Sequence, residues 1–456
     1  MLRIARHRWT VCVLGVVIFI ITPRGGLFAA TTNPYRKILI FVDGTSLAQQ
    51  RAIVTLLDPQ VQILHELTLI NGLAVQFSLL VDLTTVVQSP LSHPEIQGVY
   101  DDSIAITGQE TSLTNELNPP TSKWFGWGED DVHIHVPPPY NKGIWGVGVT
   151  VAVLDTGIDV THLNLAANIL GGFNAIEVSS GGSYLDKNGH GTHVAGLIAA
   201  TPYQSQGLIG TASAADLVAV KVLDSTGSGY LSDCINGLQW VHDRGILQYG
   251  IRVVNMSLSF AQGSVPLQQA INRLSRQGVI MVASVGNCGQ AGGGVDEGGG
   301  SDGGGSATAC DLSQPAQNAV GYPAACAGVI AVAATDTLNN VTKYSRYGPQ
   351  VAVTAPGGAV ASSGTSACGD MQQGGRLLST KLGGGYAWDS GTSQAAAHAT
   401  GIIALALQCQ PSLSFNQVVA QLQATAHFNT CYPAVRQGAG LIDAAQLIQA
   451  LRPCTK

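Results

Sequence analysis

The spacing of apolar and polar positions divides the chain into two parts of different character. Residues 36–43 (RKILIFVD) form an apolar run with strand character, and 46–57 read as a helix. The stretch VQILHELTLINGLAVQFS (61–78) predicts two more strands around a turn at Asn71-Gly72. A helix over 82–89 and a final strand near 97–106 complete a β-α-β-β-α-β order, which predicts a small α+β, ferredoxin-like unit. No cluster of nucleophile, base or metal ligand falls within it, so folding or inhibition suits it better than chemistry.

From residue 148 onward the pattern changes. VTVAVLD (149–155), LVAVKVLD (217–224), IRVVNMSLS (251–259) and GVIMVASVGN (278–287) are near-continuous apolar runs, as expected of strands buried on both faces of a parallel sheet. Helical stretches lie between them at 190–200, 231–244 and 265–276. The expectation is a doubly wound α/β domain, whose functional groups gather at the carboxyl ends of the strands. Between the two parts, 107–127 is polar and turn-rich, the composition of an exposed linker open to proteolytic processing. The Gly-rich segment 288–310 reads as a surface insertion or a flap beside Asn287.

Composition narrows the function. Charged residues make up 11% of the 456 and the net charge is −6, with no basic cluster beyond the N-terminus, so no nucleic-acid partner is indicated. The N-terminus places Arg3, Arg6 and Arg8 before an apolar stretch and small residues at Ala29 and Ala30, the order of a secretory signal peptide. A retained N-terminal segment tethering the protein to the outer face of a membrane is the alternative. Cys12 lies in that apolar stretch, and the remaining eight cysteines suit disulfides in an exported chain. Cys288–Cys310 and Cys409–Cys431 are the expected pairs, each closing a short loop.

Three segments carry chemistry. Asp155 ends the buried strand of AVLDTGID, His190 opens the helix of NGHGTHVAG, and Ser393 opens that of SGTSQAAAH. A serine at a helix start is often only an N-cap. With an imidazole to take its proton and a carboxylate to orient that ring, it becomes a nucleophile. The helix start then supplies a backbone N–H for an oxyanion, and Asn287, ending ASVGN, is placed to supply a second donor.

These motifs, in the order Asp, His, Ser, resemble those of the subtilisin-like serine peptidases from about Trp127 to Ala445, closing with GAGLIDAA (438–445). The resemblance implies Asp155 as orienter, His190 as base, Ser393 as nucleophile and Asn287 as oxyanion donor. It implies a substrate strand lying between Ser257-Leu258-Ser259 and Gly227-Ser228-Gly229, with Gly321 at the base of the primary pocket. No acid stands at Gly321, so neutral side chains, large apolar ones foremost, are expected before the cut. The N-terminal unit would be a propeptide that assists folding and then inhibits. The resulting division is 1–30 signal or anchor, 31–110 propeptide, 111–127 linker with the processing site, and 128–456 catalytic domain.

The chain departs from the family pattern at several places. Gln394 stands where the nucleophile motif usually has methionine, Ala397 where it has proline, and Ser259 where the substrate strand usually has glycine. No cofactor is required for the chemistry. A structural calcium is weakly indicated, because Asn164 replaces an aspartate and the loop TPYQSQG (201–207) lacks a carboxylate. His193 and His398 read as packing residues, His133 and His135 as a solvated face, and Cys234 as a buried thiol. The expected activity is a secreted serine endopeptidase made as a zymogen and acting on polypeptides. A membrane-tethered processing protease of narrow specificity, or a catalytically silent peptide-binding module, are the alternatives.

Overall fold

The computed structural model describes residues 33–107, 143–176, 182–204, 207–288, 319–359 and 375–454, with short strand pieces at 123–124, 290–291 and 294–295. The N-terminal segment 1–30, the histidines at 133 and 135, and most of 107–127 and 288–310 lie outside the described residues.

The N-terminal unit follows the expected order. Strand β1 (Arg36–Phe41) is followed by helix α1 (Leu47–Leu57), capped by Ser46 and Gln49 in a reciprocal box. Strands β2 (Gln62–Leu67) and β3 (Gly72–Gln76) turn at Asn71, which takes a left-handed conformation (φ 50°) while its side-chain amide donates to the carbonyls of Phe41 and Val42. Helix α2 (Leu83–Val87) and strand β4 (Ile96–Asp101) complete it, giving an antiparallel sheet in the order β2-β3-β1-β4. One expectation is corrected here. The single strand near 97–106 is two strands, and β5 (Ile104–Ile106) leaves this sheet to pair with the larger domain. Buried Asp102 makes the break by accepting from the Ser232 N–H and hydroxyl of that domain (both 2.8 Å), while Arg36 donates back to the same carboxylate.

The larger domain is built on seven parallel strands: β6 (Thr150–Asp155), β7 (Ile169–Asn174), β8 (Asp216–Lys221), β10 (Ile251–Met256), β11 (Ile280–Ser284), β12 (Val329–Thr335) and β13 (Val351–Pro356). The intervening β9 (Ser228–Tyr230) is the partner of β5. The sheet order is β13-β12-β11-β10-β6-β8-β7, so the direction of winding reverses beside β6. The apolar runs are continuous because both faces are covered. Val151 and Val153 of β6 face one core with helices α3 (His190–Ala199) and α6 (Thr392–Cys409), while Ala152 and Leu154 face the other with α4 (Leu231–Trp240) and α5 (Val265–Arg276). The expected helix over 231–244 ends at Trp240 and passes through a wider turn, Val241–Gly245.

Helices α7 (Phe415–Thr425) and α8 (Ala444–Ala450) close the domain, and here a second expectation is corrected. Cys409 bonds Cys454, not Cys431. The Gln410 amide donates to the Leu451 carbonyl (2.6 Å), bringing the chain's end back over the end of α6, while Cys431 sits exposed. Cys288 is disulfide-bonded, and its expected pairing with Cys310 lies outside the described residues. Cys234 is buried with its thiol pushed up to about 12 by burial. Among the described residues no helix is long and apolar enough to cross a membrane.

Candidate active site

Reversal of winding at β6 opens a crevice at the carboxyl ends of β6 and its neighbours. Asp155, the last residue of β6, is fully buried and accepts from the Thr156 N–H (2.7 Å) through Oδ1. The same oxygen lies 2.8 Å from His190 Nδ1. His190 reaches it because α3 passes close over the strand. A Cβ added to Gly191 would lie only 2.1 Å from the Gly157 carbonyl oxygen and 3.2 Å from the Asp155 Cβ, so only glycine fits there.

Asp186, which sequence reasoning passed over, fixes this crossing. Its carboxylate accepts from the Thr156 hydroxyl (2.9 Å), the Thr192 hydroxyl (2.6 Å) and the N–H groups of Asn188 and Gly189 (2.9 Å each). The loop, the strand end and the helix start are thereby tied together. The only sequence signal was an acid four residues ahead of His190, which is too common to single out.

His190 is completely buried. Burial, the largest single influence, lowers its pKa, but the charge and hydrogen bond of Asp155 together with the charges of Asp389 and Asp186 outweigh it, and the imidazole is held above its ordinary range. The two histidines expected as packing residues differ from it. His193 donates through Nε2 to the Ala387 carbonyl (3.1 Å), and burial plus the neighbouring His190 push its pKa down to about 3. His398 sits against the carbonyls of Pro356 and Gln394, both at 3.0 Å.

Ser393 is not the N-cap of α6. That position belongs to Gly391, and Ser393 is the second helical residue, its hydroxyl donating to the Ser257 carbonyl (3.3 Å). Ser257 Oγ in turn donates to the Ser393 carbonyl (2.9 Å) and is itself held by Asn255, so the serine's backbone and the end of β10 are locked together. Asn287 follows β11, and its Oδ1 accepts from the Thr392 N–H (3.1 Å) and hydroxyl (2.8 Å). That engagement commits the oxygen to α6 and turns the amide nitrogen to the opposite side. Gln394 is buried, donating to Asp389 Oδ2 (2.9 Å), while its Oε1 has no hydrogen-bond partner among the described residues.

The expected substrate strands flank a groove that is already filled by the chain itself. Strand β5 runs antiparallel to β9, with Ile106 opposite Ser228, Ala105 opposite Gly229 and Ile104 opposite Tyr230. Thr107 N–H donates to the Gly227 carbonyl (2.9 Å). On its other edge, β5 is bridged by the Ser259 N–H, which donates to the Ile106 carbonyl (3.3 Å). Gly227 has a positive φ of 79°, and a Cβ there would meet the Thr107 hydroxyl at 2.6 Å. Leu258 turns its side chain into the core and offers only backbone to the groove. Gly321 closes the far side, its N–H donating to the Val285 carbonyl (2.9 Å).

The weakly indicated calcium position does not fit the ion. Asn164 Oδ1 accepts the Tyr386 hydroxyl (2.7 Å), its amide nitrogen donates to the Thr201 carbonyl (2.8 Å), and no carboxylate occurs in 201–207. Among the described residues no group of three or more acidic, histidine or cysteine side chains converges as a metal site.

Comparison with known proteins agrees with this architecture. The model of the subtilase family matches residues 146–442. Over 316 residues the chain is 37% identical to a thermostable alkaline protease of Halalkalibacterium halodurans, covering 69% of this chain and 72% of that protein. It is 37% identical to subtilisin Savinase of Lederbergia lenta, covering 68% and 94%, and 35% identical to M-protease of Shouchella clausii, covering 80% and 77%. With a doubly wound parallel sheet and a family match over most of its length, the chain belongs to the subtilase family and is a serine endopeptidase.

Proposed function

We propose that the protein is a secreted endopeptidase made as a zymogen, in which Ser393, His190, Asp155 and Asn287 perform acyl transfer on polypeptides. Ser393 Oγ adds to the carbonyl carbon of the bond to be cut as its proton passes to His190 Nε2. Asp155 holds the opposite ring nitrogen and stabilises the imidazolium that forms. The carbonyl oxygen, now an oxyanion, is met by the Ser393 N–H at the start of α6 and by the Asn287 amide. His190 returns the proton to the leaving amine, and water then releases the acyl group by the same steps in reverse roles. No metal or cofactor takes part in these steps.

The observation that carries this reading is the 2.8 Å contact between His190 Nδ1 and Asp155 Oδ1, together with Ser393 in the first turn of α6. The N-terminal unit would serve as propeptide and inhibitor, a role supported by β5 lying as a third strand between Ser228–Tyr230 and Ser259. Such strand addition binds by backbone bonds and leaves specificity to pockets. Neutral side chains would be favoured before the cut, since Gly321 brings no charge to the pocket base.

The test is expression of the wild type and Ser393→Ala, followed by chain size and casein hydrolysis. The wild type should shorten by its N-terminal unit and digest casein, while the variant stays full length and inert. Equal shortening of both in pure preparations would remove Ser393 from the mechanism.

A further inference from the structure

The register of β5 and the position of one hydroxyl together bear on which residue precedes the cut. Ile106 is paired antiparallel with Ser259. Two residues further along a peptide in that register correspond to two residues back along its partner, which is Ser257. The Ser257 carbonyl is the group that accepts the Ser393 hydroxyl at 3.3 Å. A peptide in this groove therefore brings the residue two beyond the Ile106 position to the nucleophile, and that residue's side chain must enter the primary pocket. In this sequence the residue two beyond Ile106 is Gly108, followed by Gln109.

The pocket itself is obstructed. Ser259 is 3% exposed, and its Oγ is buried without a hydrogen-bond partner among the described residues. A Cβ added to Gly321 would lie 2.0 Å from that oxygen, and one added to Gly286 would lie 3.0 Å from it. The hydroxyl thus stands in the gap between the pocket's base and its wall. Arg346 narrows the same wall, its Cδ lying 3.1 Å from the Gly286 Cβ position. Its Nε donates to the Asn287 carbonyl (3.2 Å), which keeps the side chain against the pocket.

We propose that Ser259 fills the primary pocket between Gly286 and Gly321, so that the enzyme cleaves after glycine and alanine, rejects large side chains, and cuts its own chain at the Gly108–Gln109 bond. This rests on the acyl-transfer reading above and replaces the expected large apolar preference with a small one. It also sets the processing bond just before the span 111–127 expected from composition. Glycine at 108 and serine at 259 are mutually consistent: the propeptide would offer the one residue that asks nothing of the pocket.

The test has two arms, both on mature enzyme obtained by expressing the full-length chain and letting it process itself. The first is kcat/KM on a panel of tetrapeptide p-nitroanilides ending in Gly, Ala, Leu, Phe, Glu or Arg, for the wild type, Ser259→Ala and Ser259→Gly. The wild type should favour Ala and Gly, and Ser259→Gly should raise Phe and Leu relative to Ala by roughly 10- to 200-fold, the range a pocket gains from one added or lost group. Ser259→Ala, which keeps the Cβ, should fall between. A wild type preferring Phe or Leu would overturn the proposal, as would a Glu preference, which would assign the pocket to the Arg346 guanidinium. The second arm is the N-terminal sequence of the mature enzyme, expected to begin at Gln109, and any other start that persists when external proteases are blocked refutes the register. No hydrolysis of any substrate would instead count against the acyl-transfer reading, because small and large side chains fail together only when the chemistry is absent.

Discussion

Replacing Gly191 by alanine tests whether the approach of α3 to β6 is what makes the His190–Asp155 pair work. The added Cβ would start 2.1 Å from the Gly157 carbonyl oxygen. Carbon–oxygen contacts settle at roughly 3.3 Å, so the helix or the strand end must retreat by about 1 Å. The retreat acts directly on the 2.8 Å contact between His190 and Asp155, because Gly191 is the next residue. A misplacement of about 1 Å at a catalytic group costs on the order of 100-fold in rate. Overpacking costs about 1–3 kcal/mol in stability. We expect kcat to fall by about two orders of magnitude with KM little changed, and the midpoint to drop by several degrees, given roughly 2–4 °C per kcal/mol in domains of this order. The control is Gly245→Ala, whose Cβ would meet the flexible end of Ile251 at 2.6 Å, away from the site. It should lose some stability and no specific activity. Steady-state kinetics and thermal melting on both variants decide the matter. Full kcat in a folded Gly191→Ala protein would refute the argument that helix–strand proximity positions the base.

Three further outcomes follow from the site. Since His190 must be neutral to act and is held above its usual 6.5, the acid limb of kcat/KM should lie above that value and move down in Asp155→Asn. The sign for stability is opposite: the protonated His190 stabilises the fold below about 6.5 and that contribution fades as pH rises through its raised folded value. Gln394→Met removes the donor to buried Asp389, so it should cost about 1–3 kcal/mol in melting. It also places an oxidisable thioether beside the nucleophile, and activity should then fall faster in peroxide than in the wild type. Cys454→Ser opens the bond to Cys409 and should cost about 2–5 kcal/mol by denaturant titration.

How far the sequence disclosed this molecule varies with the range of the interaction concerned. Asp155, His190, Ser393 and Asn287 could be singled out as candidates because each lies at or just beyond a strand end or at a helix start, and element ends are marked by local spacing. The strands of the large sheet were legible because burial on both faces removes polar positions from their sequence. The departure of β5 was not, since IAI has the same local preference for a strand whether it pairs with β4's sheet or with Ser228–Tyr230. What decides it is Asp102, held by Arg36 and Ser232, and that partnership spans 130 residues of chain. The Cys409–Cys454 bond escaped for a related reason: nearness in sequence favoured Cys431, whereas the return of the chain end over α6 is tertiary. Ser259 was visible as an odd residue, but its consequence depends on Gly321 and Gly286, which approach it only in the folded chain.

The central claim is that His190 activates Ser393 as the nucleophile. Its most direct measurement is labelling of the mature enzyme with a fluorophosphonate, followed by mass spectrometry of the peptide containing residue 393. The account predicts one phosphonyl group per chain on Ser393, with labelling slowed by at least about 1,000-fold in a folded His190→Ala protein. Label on another residue, or labelling of Ser393 at the same rate without His190, would contradict it.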